Sequence, residues 1–392
     1  MALIILLLTT FFPNNGTFNI LRIIIVIALF FITRKAPKND VLLKYRNLIL
    51  IIWFASIIVA LVAVFMVEGD YNQSIISHEL ERLVFYILLL FLCPRIRATL
   101  PMLFWCCIAV IGIHFFIQIT QYFHLGIFDD FIRTYYITDG EYHAHFAMAM
   151  AEDNFRSGSL FLNPNVYVCY PYISLGVFLE YFKKYHSPVA IVAIIFAFIS
   201  ILLTGSRMGM VAYISIFAWF VFFRGESSQY KNPAFYLGIL IALIVIVFFI
   251  NDINNFISDQ RAFSFEGAYE GSGGVKRNFL GLYLLTCPPI YWFTGSLGTN
   301  MYLFQIDMEI GYIFAWFGIL GVIWYYLLLK TFFKYRKNNY RIIGTVAVIA
   351  ILATAMGASS VLNVLVFPFI CAITLPIIKT DNYKKNHKLI WR

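Results

Sequence analysis

Long apolar runs separated by short polar connections follow one another along nearly the whole chain. They fall near residues 2–12, 18–33, 47–67, 82–93, 99–125, 165–182, 188–205, 208–223, 234–250, 309–329, 342–358 and 361–378. Each predicts an apolar helix. The first is short, about 18 Å of helix against a hydrocarbon core of roughly 30 Å, so a re-entrant segment is the alternative reading there. The PNNG break at 13–16 and the turn at Ser359-Ser360 separate helical hairpins, because Pro and Gly interrupt a helix where backbone groups can reach water or protein partners.

Composition fixes the class. Of 392 residues, 61% are hydrophobic and 12% charged, with a mean hydropathy of +0.81, more apolar side chain than one globular core can hide. The expectation is an all-α polytopic integral membrane protein of about twelve transmembrane helices. No cleavable signal peptide is expected, since residues 2–12 lack a basic stretch before them and a small-residue cleavage site after them. Six cysteines lie mostly inside apolar runs without disulfide or metal-ligand spacing, which predicts free thiols.

The basic residues set the orientation. Alternate connections hold 21 of the 29 Lys and Arg residues, and the opposite connections hold 16 of the 20 acids. The basic side is cytoplasmic by the positive-inside rule, with both termini on it. The net charge of +9 then reflects topology and gives no indication of nucleic acid. Two segments on the other side are too long to be turns. The resulting organisation is N-terminal helices over 1–125, a first external loop over 126–164, central helices over 165–250, a second external loop over 251–308, and C-terminal helices with a cytoplasmic tail over 309–392. Long loops carry function. The first mixes aromatics with acids, amides and arginines suited to sugars, and the second holds a Pro-broken apolar run from Phe279 to Trp292 that predicts a helix on or dipping into the outer leaflet.

Candidate chemistry gathers from Arg261 to Gly321 and in the first loop. An arginine at bilayer depth costs roughly 2.5–3.5 kcal/mol on insertion scales, so outer-side arginines invite a reason. Arg207 sits in the short TGSRMG hairpin, while Arg156, Arg261 and Arg277 come from the long loops. Together they offer a forked anion site for a diphosphate. The competing reading is that such arginines snorkel to lipid phosphate or pair with an acid; it is preferred for Arg22, Arg82 and Arg133, which no motif supports. Asn163 and Asn165 of NPN open a helix, Asn163 as its cap, and their amides also suit sugar hydroxyls. Asp307 and Glu309 precede an apolar helix, where the helix dipole favours acids and where a partly buried carboxylate can also act as a base. EGSGG at 270–274 reads as a hinge, and His143 and His145 are too sparse for a metal site.

In order along the chain, FLNPNVYVCY, LTGSRMGM, Arg277, GSLG at 295–298, Asp307 and EIGYIFAWFGILG resemble the O-antigen polymerase (Wzy-type) and O-antigen ligase superfamily of bacterial inner-membrane proteins. The match runs from about residue 156 to 330. Where ligases place a histidine eleven residues before a helix glycine, counting back from Gly318 gives Asp307, which is closer to the polymerase branch. The resemblance implies transfer of a glycan on undecaprenyl pyrophosphate to the next undecaprenyl-pyrophosphate-linked oligosaccharide at the periplasmic face. Arg207 and Arg277 would stabilise the leaving diphosphate, Asp307 would act as base, and Arg156, Asn163, Asn165, Arg261 and Glu309 would bind substrate. No metal or cofactor is implied. Expected partners are the lipid-linked oligosaccharides, the bilayer and a chain-length regulator. A ligase acting on lipid A core, or a lipid-linked oligosaccharide flippase, is the alternative; the one-sided placement of polar residues favours an outer-face enzyme.

Overall fold

The computed structural model describes residues 1–13, 16–33, 40–68, 73–136, 156–161, 163–224, 283–297, 309–335, 340–355 and 361–378. These are mostly helical, as an all-α membrane protein requires. The helix expected over 234–250 lies outside the described residues.

The elements in chain order are α1 (Ala2–Leu8), α2 (Gly16–Ile32), α3 (Asp40–Glu68), α4 (Gln73–Leu92), β1 (Arg97–Ala98), α5 (Leu100–Tyr122), α6 (Asp129–Tyr135), α7 (Pro164–Tyr167), α8 (Cys169–Tyr185), α9 (Pro188–Leu202), α10 (Arg207–Arg224), α11 (Ile290–Thr294), α12 (Glu309–Tyr335), α13 (Arg341–Ala355), α14 (Val366–Thr374) and β2 (Ile377–Ile378). Among the described residues, those over Tyr45–Glu68, Leu100–Tyr122 and Glu309–Lys334 are long and apolar enough to cross a membrane. Beside the helices, β1 and β2 form a two-residue parallel pair, Arg97 opposite Ile377. The chain is extended on both sides there because Cys93–Arg95 closes α4 in a tight turn.

Helices α8 and α14 sit at the centre. Every residue of Cys169–Leu179 and of Val366–Thr374 is buried. Around them the outer helices turn apolar side chains outward: Ile51, Phe65 and Met66 on α3, Trp105 and Phe116 on α5, Val192 on α9 and Val211 on α10 are exposed. In water such a surface would aggregate, whereas lipid solvates it without cost. Between helices, flat rings fill the space: Trp53 stacks on Trp324 at 4.6 Å between α3 and α12, and Tyr86 on Phe367 at 4.0 Å between α4 and α14.

The two ends of the bundle differ in chemistry. At one end Met1, Thr33, Arg95 and Arg97 surround a common recess, Lys334 donates to the Tyr45 hydroxyl at 2.8 Å, and Lys184 to that of Tyr340 at 3.2 Å. Arg46 lies 3.6 Å over the Phe91 ring. This is the basic end, where the described ends of α2, α4, α8 and α12 lie. At the opposite end lie the turns after α1, α5, α9 and α13, and the starts of α4 and α12.

Candidate functional site

The opposite end holds two polar corners. In the first, residues 156–161 thread between α5 and α9 and are held by amides and hydroxyls. Gln118 Nε2 donates to the Ser157 carbonyl at 3.2 Å and to that of Ser200 at 3.1 Å. Ser200 Oγ donates to Gln118 Oε1 at 2.6 Å. Gln121 donates to the Ser159 carbonyl and accepts from Ser157 Oγ. His114 Nδ1 meets Ser159 Oγ at 2.9 Å. The spacing of His114, Gln118 and Gln121, one helical turn each, puts all three on one face of α5. Away from water each of these groups costs free energy if left unpaired, so they fix this end of the first loop instead of leaving it to solvent.

That network delivers Arg156 to the α9–α10 turn. Ser157 N donates to the Leu203 carbonyl at 3.0 Å, and Arg156 Nε to the Thr204 carbonyl at 3.4 Å. The turn is built to end one helix and begin another: Ser206 Oγ accepts from Gly209 N at 3.1 Å, a helix N-cap, which makes Arg207 the first residue of α10. Tyr172 from α8 donates to the Gly209 carbonyl at 2.6 Å. Asn163 caps α7 as its sequence predicts, accepting from Asn165 N at 3.0 Å with Pro164 in the first turn.

The second corner is charged. Glu79 lies about 9 Å along α4 from its start, fully buried, and Arg82 reaches it at 2.5 Å from one turn on. The Arg82 guanidinium also meets the Tyr312 hydroxyl of α12. Arg22 of α2, 1% exposed, points at the end of the short α1: Nε donates to the Thr9 carbonyl at 3.2 Å, one terminal nitrogen to the carbonyls of Phe12 and Pro13, and the other to Asn19 Oδ1. The last carbonyls of a helix lack partners within it, and here a guanidinium supplies the donors. Arg22, Arg82, Glu81, Asn19 and Val364 border one recess.

Beside this recess the expected helix over 361–378 begins late. Residues 361–365 are irregular, and side chains from three helices take up their backbone groups. Leu362 N donates to Glu309 Oε1 at 2.8 Å, Tyr86 donates to the Val361 carbonyl at 2.5 Å, and Tyr170 to that of Leu365 at 2.9 Å. Asn363 Oδ1 accepts from Leu365 N and Val366 N and starts α14. Irregular backbone at this depth is tolerated only when buried in protein or lining a cavity. Glu309 is fully buried, and its other oxygen accepts from Tyr325 at 3.2 Å.

The second loop joins the bundle through a break in α12. Gly318 has φ 59°, ψ −152°, so the carbonyls of Ala315 and Trp316 lose their helical donors. The GSL turn replaces them: Ser296 N donates to the Ala315 carbonyl at 2.8 Å and Leu297 N to that of Trp316 at 3.1 Å, with the Tyr283 hydroxyl adding a bond to Ala315 at 3.2 Å. Gly295 and Gly318 are both required by this contact, since a Cβ would fall 2.2 Å from the Trp316 oxygen at the first and 2.4 Å from the Phe293 backbone at the second. The apolar run expected to lie on the leaflet is thus docked into the bundle over residues 283–297, with Tyr291 buried and donating to Glu68 at 3.1 Å.

Of the residues singled out from sequence, Arg156 is set against the α9–α10 turn at the Thr204 carbonyl, three residues before Arg207. The structure sets Asn163 and Asn165 at the start of α7 and Glu309 against the 361–363 turn. The side chain of Arg207, together with Arg261, Arg277 and Asp307, lies outside the described residues. Arg82 pairs with an acid, Glu79, as one half of its preferred sequence reading has it; the carbonyl contacts of Arg22, the burial of Glu79 and the α5 amides were missed. The i, i+3 spacing of Glu79 and Arg82 inside an apolar helix was the available signal. No family model, curated protein or solved structure matches the chain.

Proposed function

We propose that the chain is a membrane glycosyltransferase of the O-antigen polymerase type, joining undecaprenyl-pyrophosphate-linked oligosaccharide units at the periplasmic face of a bacterial inner membrane. The end of the bundle opposite the basic end is that face. The observation that carries the reading is the docking of the first loop on the α9–α10 turn, where Arg156 Nε lies 3.4 Å from the Thr204 carbonyl, three residues before Arg207. In this reading Arg156 and Arg207, from separate stretches, both contribute to one diphosphate site at that corner.

In this reading Arg207 and Arg277 hold the diphosphate oxygens as the glycosyl C–O bond breaks and the acceptor hydroxyl adds to the anomeric carbon. Asp307 takes the hydroxyl proton, and the leaving group departs as undecaprenyl pyrophosphate. Fixed cations placed where charge develops lower the barrier, and removing one such contact costs about 2.7–4 kcal/mol by the precedent of other sites, or 10²–10³ in rate. The glycosyl-diphosphate bond supplies the driving force.

The test is incubation of the purified protein with a synthetic polyprenyl-diphosphate oligosaccharide and gel analysis of the products. A ladder of lengths is expected from the wild type, with Arg207→Ala and Arg277→Ala each slowing it by 10²–10³ at unchanged protein level. A single product without a ladder, or wild-type ladders from both variants, rejects the proposal.

A further inference from the structure

The recess at the basic end, beside the end of α2 and the turn that closes α4, holds about 320 Å³ of free space, within the roughly 300–1,000 Å³ of small-ligand sites. Its polar lining is Arg95, Arg97 and Thr33, and among the described residues no acid borders it. Both arginines sit on fixed backbone. Arg95 ends the tight turn Cys93–Arg95, Arg97 lies in β1 opposite Ile377, and the Ile96 carbonyl between them accepts from Ile377 N at 2.8 Å. The guanidinium of Arg95 lies 3.9 Å over the Phe30 ring of α2. Among the described residues neither guanidinium has a hydrogen-bond or ion-pair partner, and Arg46 of α3 stands close enough to Arg95 for the two like charges to repel. Thr33 gives its hydroxyl proton to the Leu29 carbonyl at 2.8 Å, which leaves the two guanidiniums as the donors. Cations gathered without counter-charges attract an anion, and guanidinium forks match the oxygens of a phosphate. The source of that phosphate is marked by the surface next to it. Ile20, Ile24, Ile27 and Phe31 are all exposed, and their spacing sets them in one stripe along α2. The stripe runs up to Ile32, itself 76% exposed and part of the recess wall. A soluble anion uses only the arginines, whereas a phospholipid fills the recess and covers the stripe.

We propose that this recess binds the phosphate of an anionic phospholipid from the leaflet at the basic end, with Arg95 and Arg97 donating to the phosphate oxygens and the acyl chains lying along the α2 stripe. Basic pockets between membrane helices suit lipid head groups in general. A zwitterionic head group would bring its own ammonium against the arginines, so the site selects lipids whose head group carries net negative charge. The proposal concerns the end of the bundle away from the loop arginines and is independent of the glycosyltransferase reading.

The test is native mass spectrometry of the full-length protein released from micelles doped with dioleoyl phosphatidylglycerol or, separately, with dioleoyl phosphatidylcholine, which has the same tails. The wild type is expected to hold phosphatidylglycerol more tightly by about tenfold or more, on the scale of two arginines beside a charged head group. Arg95→Gln/Arg97→Gln is expected to bring the two lipids to near equality. Lys330→Gln/Lys334→Gln removes two charges that do not border the recess and is expected to keep the preference. A preference that survives in Arg95→Gln/Arg97→Gln overturns the site, and so does an equal loss in both double variants, which would mark a diffuse attraction to the whole basic end. Should the arginine variant not fold, Thr33→Trp fills the recess with both guanidiniums in place; it is expected to lose the preference, and a preference kept there overturns the proposal equally. Inorganic phosphate in excess separates the two sources of the anion. Retention of the lipid is expected, and its displacement by inorganic phosphate would mark a free-anion site and overturn the lipid assignment.

Discussion

The two polar corners at the same end of the bundle solve one problem in opposite ways. Around residues 156–161, neutral amides and hydroxyls bury themselves by satisfying one another, with the ring nitrogen His114 Nε2 left without a partner. Around Arg22, Glu79 and Arg82, charge is buried instead, and the pairing is left incomplete at Arg82 Nε and Glu79 Oε2. Hydroxyls and amides supply both donors and acceptors, so a neutral network can satisfy most of its own members. Buried ions carry a desolvation penalty that a single contact rarely repays. The contrast lies in what a lost partner costs: a neutral group left unpaired costs less than a buried ion left without its counter-charge.

The sharpest way to break that comparison is to remove one ion. Arg82→Met leaves Glu79 fully buried without its partner, a change that costs about 3–5 kcal/mol. The expected outcome is a large fall in the melting temperature of the detergent-purified protein, or loss of the folded peak in size-exclusion chromatography. The double variant Glu79→Gln/Arg82→Met is expected to recover most of the loss, because no unpaired charge remains. If the double variant is no better than the single one, the pair is not coupled and the charged corner is held by its packing alone.

The neutral corner answers more mildly. Gln118→Leu removes the donor for two buried carbonyls, those of Ser157 and Ser200, and the acceptor for Ser200 Oγ. An orphaned buried group costs about 1–3 kcal/mol, so a smaller fall in melting temperature than for Arg82→Met is expected, without loss of the folded peak. A cost equal to that of Arg82→Met would remove the distinction between the corners.

The sequence made the apolar helices legible because lipid and core both demand long hydrophobic runs, and the basic connections marked which helix ends belong together. The Asn163 cap could be read for the same local reason. Other features depend on partners distant in sequence. The break at Gly318 looks like an ordinary helix glycine until the 295–297 turn is seen supplying donors to Ala315 and Trp316. The late start of α14 is equally hidden, since Glu309, Tyr86 and Tyr170 that hold residues 361–365 come from three other helices. A shared trait links these cases. Tyrosine hydroxyls donate to carbonyls at helix ends and breaks, at Phe11, Ala315, Val361 and Leu365. Periodicity does not show which tyrosine hydroxyl finds which break. For Arg22 the expectation of snorkelling or pairing with an acid fails for the same reason: the Thr9, Phe12 and Pro13 carbonyls it serves, just past α1, become targets only once α1 stops short.

The smallest expected effect bears most directly on how the neutral corner serves the proposed chemistry. Ser206→Ala deletes the cap that receives Gly209 N, and losing an N-cap costs about 0.5–2 kcal/mol. Tyr172 still holds the Gly209 carbonyl and Arg156 the Thr204 carbonyl, so the turn stays folded and the melting temperature moves by a few degrees at most. Its first residue, Arg207, loses the constraint that fixes it at the start of α10. If the turn exists to aim that guanidinium, glycan extension falls by more than the change in stability accounts for, and Ser206→Thr, which keeps a capping hydroxyl, restores it. If extension and melting temperature fall in proportion, the cap serves only the fold, and the neutral corner positions nothing for the reaction.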